Sequence, residues 1–505
     1  MTSPTLLNLE KPADGYLWPR WLFLRALGLI FFSAFYSLAF QIQGLIGERG
    51  ILPADLYLQE LSRILGGIEK IWYAPTLFWI NASDHALSFV MLLGIGASAL
   101  LVLNIAPRAM IAICTLLFLS CIAALQDFSS YQSDGMLLEA GFISFFFAPR
   151  GLRPGLGAMD PPSRISLFML RWEWFRIYFE SGLVKILSGD PTWRNLTAMD
   201  NYYQNGPLPS WPGWYVQQLP HWYHAGTVIF TFFVELLLVW AVFLPRRIRV
   251  GSFFIFTALQ IGIIATANYA FLNYLVLCLG LLLLDDRFLA RLRFPLVVVP
   301  AQEPAKRARV FRRVELIALG IAFYTTVVAF FLSGSSILGF PNKLLAPFRI
   351  ANAYGLFAVM TPARYEIEFQ GSNDGISWVA YPFRYKPQDV TERPGFYAPY
   401  QPRFDWNLWF ASLAPWQQNP WVVLTEQRLI GGAPSVLSLF RADPFNGNPP
   451  RMVRTVIYQY WFTDVATKHA TGAWWRREEL GQFTPSVERD AADGASPAHQ
   501  PGTQR

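Results

Sequence analysis

Several ionisable side chains stand inside hydrophobic runs of this 505-residue chain. Glu173, Arg176, Glu180 and Lys185 share one run, and Glu235 sits in the middle of another, FFVELLLVW. Spaced i, i+3 and i+7, Glu173, Arg176 and Glu180 fall on one face of a helix, with an Arg between two carboxylates. A charge near a bilayer centre costs roughly 2.5 to 3.5 kcal/mol on insertion scales, so this face must pack against other helices. Two chemistries fit. One is an ion cluster that neutralises itself and fixes a bundle. The other is proton handling by an intramembrane base. Glu235 needs a partner or a proton, and Arg176 and Lys185 are its candidates.

The loop between these two runs holds Asp190, Trp193, Arg194 and Asp200, then the aromatic stretch PLPSWPGWY and HWYH at His221 to His224. His221 and His224 at i, i+3 could ligate a metal, but no third ligand follows at a suitable spacing; capping or interfacial roles fit better. The aromatic loop suits a membrane-surface plug or a partner-binding platform. Further on, QPRFDWNLWFASL places Arg403 and Asp405 among Trp406 and Trp409, and WWRRE opens with Trp474 and Trp475. Arg packed on Trp is the simpler account there, and direct partner recognition the other. The chain has no GxSxG, P-loop, HExxH or GxGxxG, which argues against catalysis by a familiar motif and gives no reason to expect a cofactor or metal. Its three cysteines all lie in hydrophobic runs and read as buried apolar residues.

The elements that position these groups follow from composition. The chain is 53% hydrophobic and only 15% charged, against about 25% charged in soluble domains. The apolar excess fills the region from Trp21 to Leu332. The net charge of +7 comes from short loops between apolar runs, a topology signal and not a nucleic-acid footprint. The runs predict about nine transmembrane helices, including a short one from Gly135 to Ala148 and the charged one from Ile165 to Leu187. Basic residues crowd every second loop, which puts the N-terminus in the cytoplasm. The expected organisation is a cytoplasmic segment (1–20), a polytopic α-helical membrane domain (21–333), an exported β-rich C-terminal domain (334–487) and a disordered tail (488–505). In the exported part RYEIEFQGSNDGISWVAY alternates around an Asn-Asp-Gly turn, a hairpin signal, and MVRTVIYQYWF is a second strand. Helical inserts are expected around Trp406 to Leu413 and Trp421 to Gly431.

Two sets of motifs, in order, resemble the lipase maturation factor family. The membrane set is FRIYFESGLVKILSGDPTWRNLTAMDNYYQNGPLP with HWYH and FVELL. The second set is NAYGLFAVMT, QGSNDG, FRYKP, QPRFDWNLWFASL, PPRMVRTVIYQYWF and WWRRE. The resemblance implies a polytopic endoplasmic-reticulum protein that helps secreted lipases reach an active fold. It further implies that the C-terminal region engages the client. Arg403, Asp405, Trp406, Trp409, Tyr460, Trp461, Trp474 and Trp475 are the client-binding candidates this gives. The Ala-, Arg- and Gly-rich composition points to a bacterial host, and then to an inner-membrane protein with a periplasmic domain. Membrane lipid and an exported client, a lipase, are the expected partners. The helical half also resembles the membrane region of vitamin K-dependent carboxylase-like proteins. That alternative makes the chain a membrane-embedded enzyme for a lipid-soluble substrate, with Lys185, Glu180, Glu235, His221 and His224 as its candidate residues.

Overall fold

The computed structural model of this protein describes residues 13–129, 131–296, 306–331 and 340–489. The start of the chain, residues 1–12, and residues 490–505 lie outside the described residues; of the expected disordered tail from 488, Glu488 is instead paired in a strand with Met452 and the Arg489 amide donates to Arg451.

Helices form at each of the apolar runs: α1 (Leu17–Ala39), α2 (Asp84–Val102), α3 (Pro107–Ala124), α4 (Gln132–Phe147), α5 (Arg164–Leu187), α6 (His221–Phe232), α7 (Arg246–Thr266), α8 (Leu272–Gly280) and α9 (Lys306–Phe331). Their starts carry readable signals, since the hydroxyls of Ser83 and Ser163 cap α2 and α5 and Pro107 opens α3. Helix α6 continues through a π-turn (Phe233–Leu237) and a 3-10 stretch (Leu238–Phe243). Among the described residues, six helices are long and apolar enough to cross a membrane: α1, α2, α3, α6 with its extension, α7, and α9. This falls short of the nine crossings expected. Helix α4 has 16 residues and the apolar part of α8 ends at Leu283, both short for a bilayer; α5 is long enough but heavily charged. All three are wrapped by neighbours.

One end of the bundle gathers the basic loops. Arg20 donates to the carbonyls of Asp160 at 2.7 Å and Leu156 at 2.8 Å, Arg108 to Ala148, Arg249 to Leu283 at 3.1 Å and Arg312 to Pro161 at 2.9 Å. Asp286 closes the same end by accepting from the backbone of Leu17 and Trp18 at the head of α1.

The C-terminal domain sits on the other end. Its antiparallel sheet has strands β1 (Arg364–Ser372), β2 (Val379–Ala380), β3 (Met452–Phe462), β4 (Trp475–Gln482) and β5 (Val487–Glu488), ordered β2-β1-β3-β4 with β5 on β3. The expected hairpin is present: Gly371 pairs with Val379, and Gly375 takes φ +75° in the turn while Asp374 accepts from the Ile376 and Ser377 amides. Helices α10 (Arg403–Ala411) and α11 (Trp421–Ile430) lie where inserts were expected. The domain is nonetheless less β-rich than expected. Only β1, β3 and β4 are long, because Pro-, Gly- and Asn-bearing stretches such as 382–402 and 441–451 cannot hold a ladder. Nor does the domain stand apart. A single hydrophobic core runs from Phe31 and Phe118 in the bundle to Phe369 and Phe440 around the sheet.

Candidate functional site: the buried polar junction

Residues 352–361 leave the end of the bundle as irregular backbone, laid along α4 and α5. Irregular chain buried inside protein is tolerated only where the protein satisfies its amides and carbonyls. The intramembrane charges do that here. On α4, Gln132, Gly135 and Glu139 share a face. The Gln132 side chain accepts from the Gly355 amide at 3.0 Å, and the Gly135 carbonyl from the Asn352 side chain at 3.0 Å. One Glu139 oxygen takes the Asn352 amide at 3.0 Å and the Tyr354 hydroxyl at 2.8 Å. On α5, Arg176 donates to the Asn352 carbonyl, Glu180 accepts from the Tyr354 amide at 2.7 Å, and the Ser181 hydroxyl accepts from Leu356 at 3.2 Å. Beyond the helix, the Trp193 indole donates to Phe357 at 3.1 Å, Asp190 accepts from Met360 at 2.7 Å, and Asn205 donates to Thr361 at 2.7 Å. Burial pushes the Asp190 carboxyl up, but the amides of Met360 and Thr192 and the Thr192 hydroxyl outweigh it and hold it below the usual range.

The expected Glu173–Arg176–Glu180 cluster is therefore corrected. All three are buried, but Arg176 forms its ion pair with Glu139 of α4, across the helix interface. Glu180 serves the threaded backbone, and both Glu173 oxygens are buried without a hydrogen-bond partner. Neighbouring positions on one helix face give proximity, while a long guanidinium reaches the facing helix just as well. Of the two candidate partners for Glu235, Lys185 is the one found. Its ammonium lies 2.8 and 3.1 Å from the two Glu235 oxygens and donates to the carbonyls of Ser181 and Leu356. Those contacts use all the donors of an ammonium. The π-turn brings Glu235 there, and Gly182 permits the approach, since a Cβ on it would lie 2.8 Å from the Glu235 Cβ.

The outer-loop histidines do not converge. His221 lies exposed, 3.0 Å from Asp200, while buried His224 bonds the Leu219 carbonyl at 2.9 Å. Among the described residues no group of three or more His, Cys, Asp or Glu comes together as a metal set. Arg194 is exposed at the end of a short helix. The three cysteines are free and buried.

A second polar junction welds α10 to the bundle. Arg403, 0% exposed, donates in parallel to both oxygens of Asp134 at 2.7 and 2.8 Å and to the Phe128 carbonyl at 2.7 Å. Tyr131 donates to Asn407 at 3.0 Å, and Gln41 to the Gln401 carbonyl at 2.9 Å. Most of the residues expected to face a client are likewise internal. Asp405 accepts from the amides of Tyr385 and Lys386, both at 3.2 Å; burial raises its carboxyl to about 6 against the pull of those amides and the Lys386 charge. Trp409 donates to the Asn205 carbonyl at 3.0 Å, Trp406 packs on Tyr131, Tyr460 donates to Gln388 at 3.1 Å, and Trp475 packs on Phe462. Trp461 and Trp474 remain half-buried, with Arg476 4.5 Å over the first ring and Lys468 4.1 Å over the second. Asp134, Glu139, Asn352 and Tyr354, which complete both junctions, were not among the expected residues.

Both halves match family models in the order observed. Residues 18–291 match the lipase maturation factor transmembrane domain, and residues 350–485 the lipase maturation factor C-terminal domain. The chain is similar to lipase maturation factor 1 of Bos taurus, with 32% identity over 95% of this chain and 91% of the relative. For lipase maturation factor 1 of Homo sapiens the figures are 32%, 94% and 88%, and for lipase maturation factor 2 of Gallus gallus 30%, 93% and 81%. No solved structure matches. Both domain models and relatives aligned along nearly the whole chain agree: this chain belongs to the lipase maturation factor family.

Proposed function

We propose that this chain is an integral membrane maturation factor for exported lipases that acts as a binding scaffold, with residues 21–333 in the membrane and residues 334–487 on the exported side. In a bacterial host that side is the periplasm, and in a eukaryotic host the lumen of the endoplasmic reticulum. The observation that carries this reading is the relationship to lipase maturation factors over nearly the full chain, membrane and C-terminal parts together. The placement of the C-terminal domain at the end of the bundle opposite the basic loops supports the sidedness. The saturated Lys185–Glu235 pair and the amide-binding duty of Glu180 favour a structural role for the intramembrane charges over a catalytic one.

Client contact falls to the exposed aromatic and basic surface of β3, β4 and their connection, around Trp461, Trp474, Lys468 and Arg476. Half-exposed Trp beside cations is the composition of a partner interface. Photocrosslinking groups at positions 461 and 474 are expected to capture newly exported lipase, whereas the same group at position 152, exposed on the basic-loop end, captures none. Equal capture from both ends, or none from 461 and 474, refutes the assignment.

A further inference from the structure

Two cavities meet at the threaded segment. One, of about 380 Å³, lies under the C-terminal domain and is walled by Tyr131, Trp409, Phe410 and residues 355–361. The other, of about 280 Å³, lies among α5, α6 and α7, deep in the helical bundle. Tyr202, Leu272, Leu356, Phe357 and Met360 line both, so the two are neighbours across a thin partition.

The first cavity has an unusual chemistry. Two of its lining side chains, each at least nine-tenths buried, carry polar atoms with no hydrogen-bond partner: the Trp406 Nε1–H and the Asn205 Oδ1. Unpaired buried polar atoms are costly and call for an occupant. Among the described residues none of the side chains lining this cavity is charged, so the occupant is neutral, with a hydrogen-bond acceptor for Trp406 and a donor for Asn205. The second cavity extends the site with a mainly apolar wall, whose charged and amide members, the Lys185–Glu235 pair and Gln260 with Asn273, already bond one another. Helices α6 and α7 are the two spans least buried inside the protein, with 28% and 22% of their apolar windows covered, and they pack on each other through the Leu238–Phe243 end. A chain lying between them towards the other end borders the bilayer.

We propose that these paired cavities bind an uncharged acyl-ester lipid of the mono- or diacylglycerol class. The ester carbonyl accepts from Trp406, a free glycerol hydroxyl donates to Asn205, and an acyl chain runs into the cavity between α6 and α7. The proposal stands apart from the maturation role and survives its failure.

The test is equilibrium binding of radiolabelled dioleoylglycerol to the full chain in micelles, against three competitors: its dialkyl ether analogue, dioleoyl phosphatidic acid and a hydrophobic helical peptide. Losing one neutral hydrogen bond weakens binding by a factor of about 3 to 10. The ether analogue is expected to compete that much more weakly with wild type, and Trp406→Phe, which keeps the ring and removes the donor, to bind the ester as weakly as the ether. Phosphatidic acid is expected to compete poorly. Equal competition by ester and ether in wild type overturns the proposal. So does phosphatidic acid competing as well as dioleoylglycerol, or a site that takes the peptide and not the lipid.

Discussion

Replacing Asp134 with Asn leaves the Arg403 guanidinium buried, charged and facing an amide. The pair is bidentate at 2.7 and 2.8 Å with both partners essentially inaccessible to water. Breaking such a pair from one side costs about 3–5 kcal/mol, because the remaining charge keeps its desolvation penalty and loses its partner. Against a net stability of about 5–15 kcal/mol, this is enough to loosen the junction between bundle and C-terminal domain. Arg403→Met does the same from the other side by stranding Asp134. In the double variant no charge is stranded, so it should lose less than the sum of the two single changes, by at least about 1 kcal/mol. Arg403→Lys should resemble Arg403→Met more than wild type, since an ammonium cannot make the parallel pair and also reach the Phe128 carbonyl. The assay is the thermal midpoint of purified protein in one detergent, together with the rate of proteolytic separation of the two domains. Single variants with unchanged midpoints, or a double variant that loses the full sum, would refute the claim that this pair joins the domains.

Two further predictions concern pH and packing. Glu426 on α11 is buried beside Thr484 and Thr455, and burial raises its carboxyl from an ordinary 4.5 to about 8 despite the threonine hydrogen bonds. The folded chain then binds more protons than the unfolded one between those values, so stability should fall as pH rises from about 4.5 through 8. Glu426→Gln should flatten that slope and raise stability at pH 7, by at most roughly 3 kcal/mol; an unchanged slope counts against it. Gly182→Val forces the π-turn off α5 and should lower accumulation and stability by about 1–3 kcal/mol; a variant as abundant and heat-stable as wild type would show that the close approach is not needed.

What was legible in the sequence follows from how local each signal is. Long apolar runs and the Asn-Asp-Gly turn announce themselves, and the helices and the β1–β2 hairpin stand where those signals lie. Lys185–Glu235 was within reach because each charge stands in an apolar run and has to find the other. The same rule applied to Gly135–Ala148 would have found Glu139, the true partner of Arg176; the i, i+3 geometry of α5 drew attention away from it. For Arg403 and Trp409 the residues themselves favour packing and only the family resemblance makes them client-binding candidates, because an Arg among tryptophans has the same composition in a buried junction as on a binding surface. Only the partner, Asp134 at a separation of 269 residues, tells the two apart. Residues 352–361 carry no period of either kind, so nothing local shows that ten residues of irregular chain are held by helices far away in sequence.

The most direct measurement is the activity of secreted lipase per unit of lipase protein, in the host with this gene, without it, and with the gene restored. If the chain matures lipases, specific activity should fall on deletion while lipase synthesis stays constant, and should return with the wild-type chain. Unchanged specific activity of every exported lipase in the deletion strain would contradict the account.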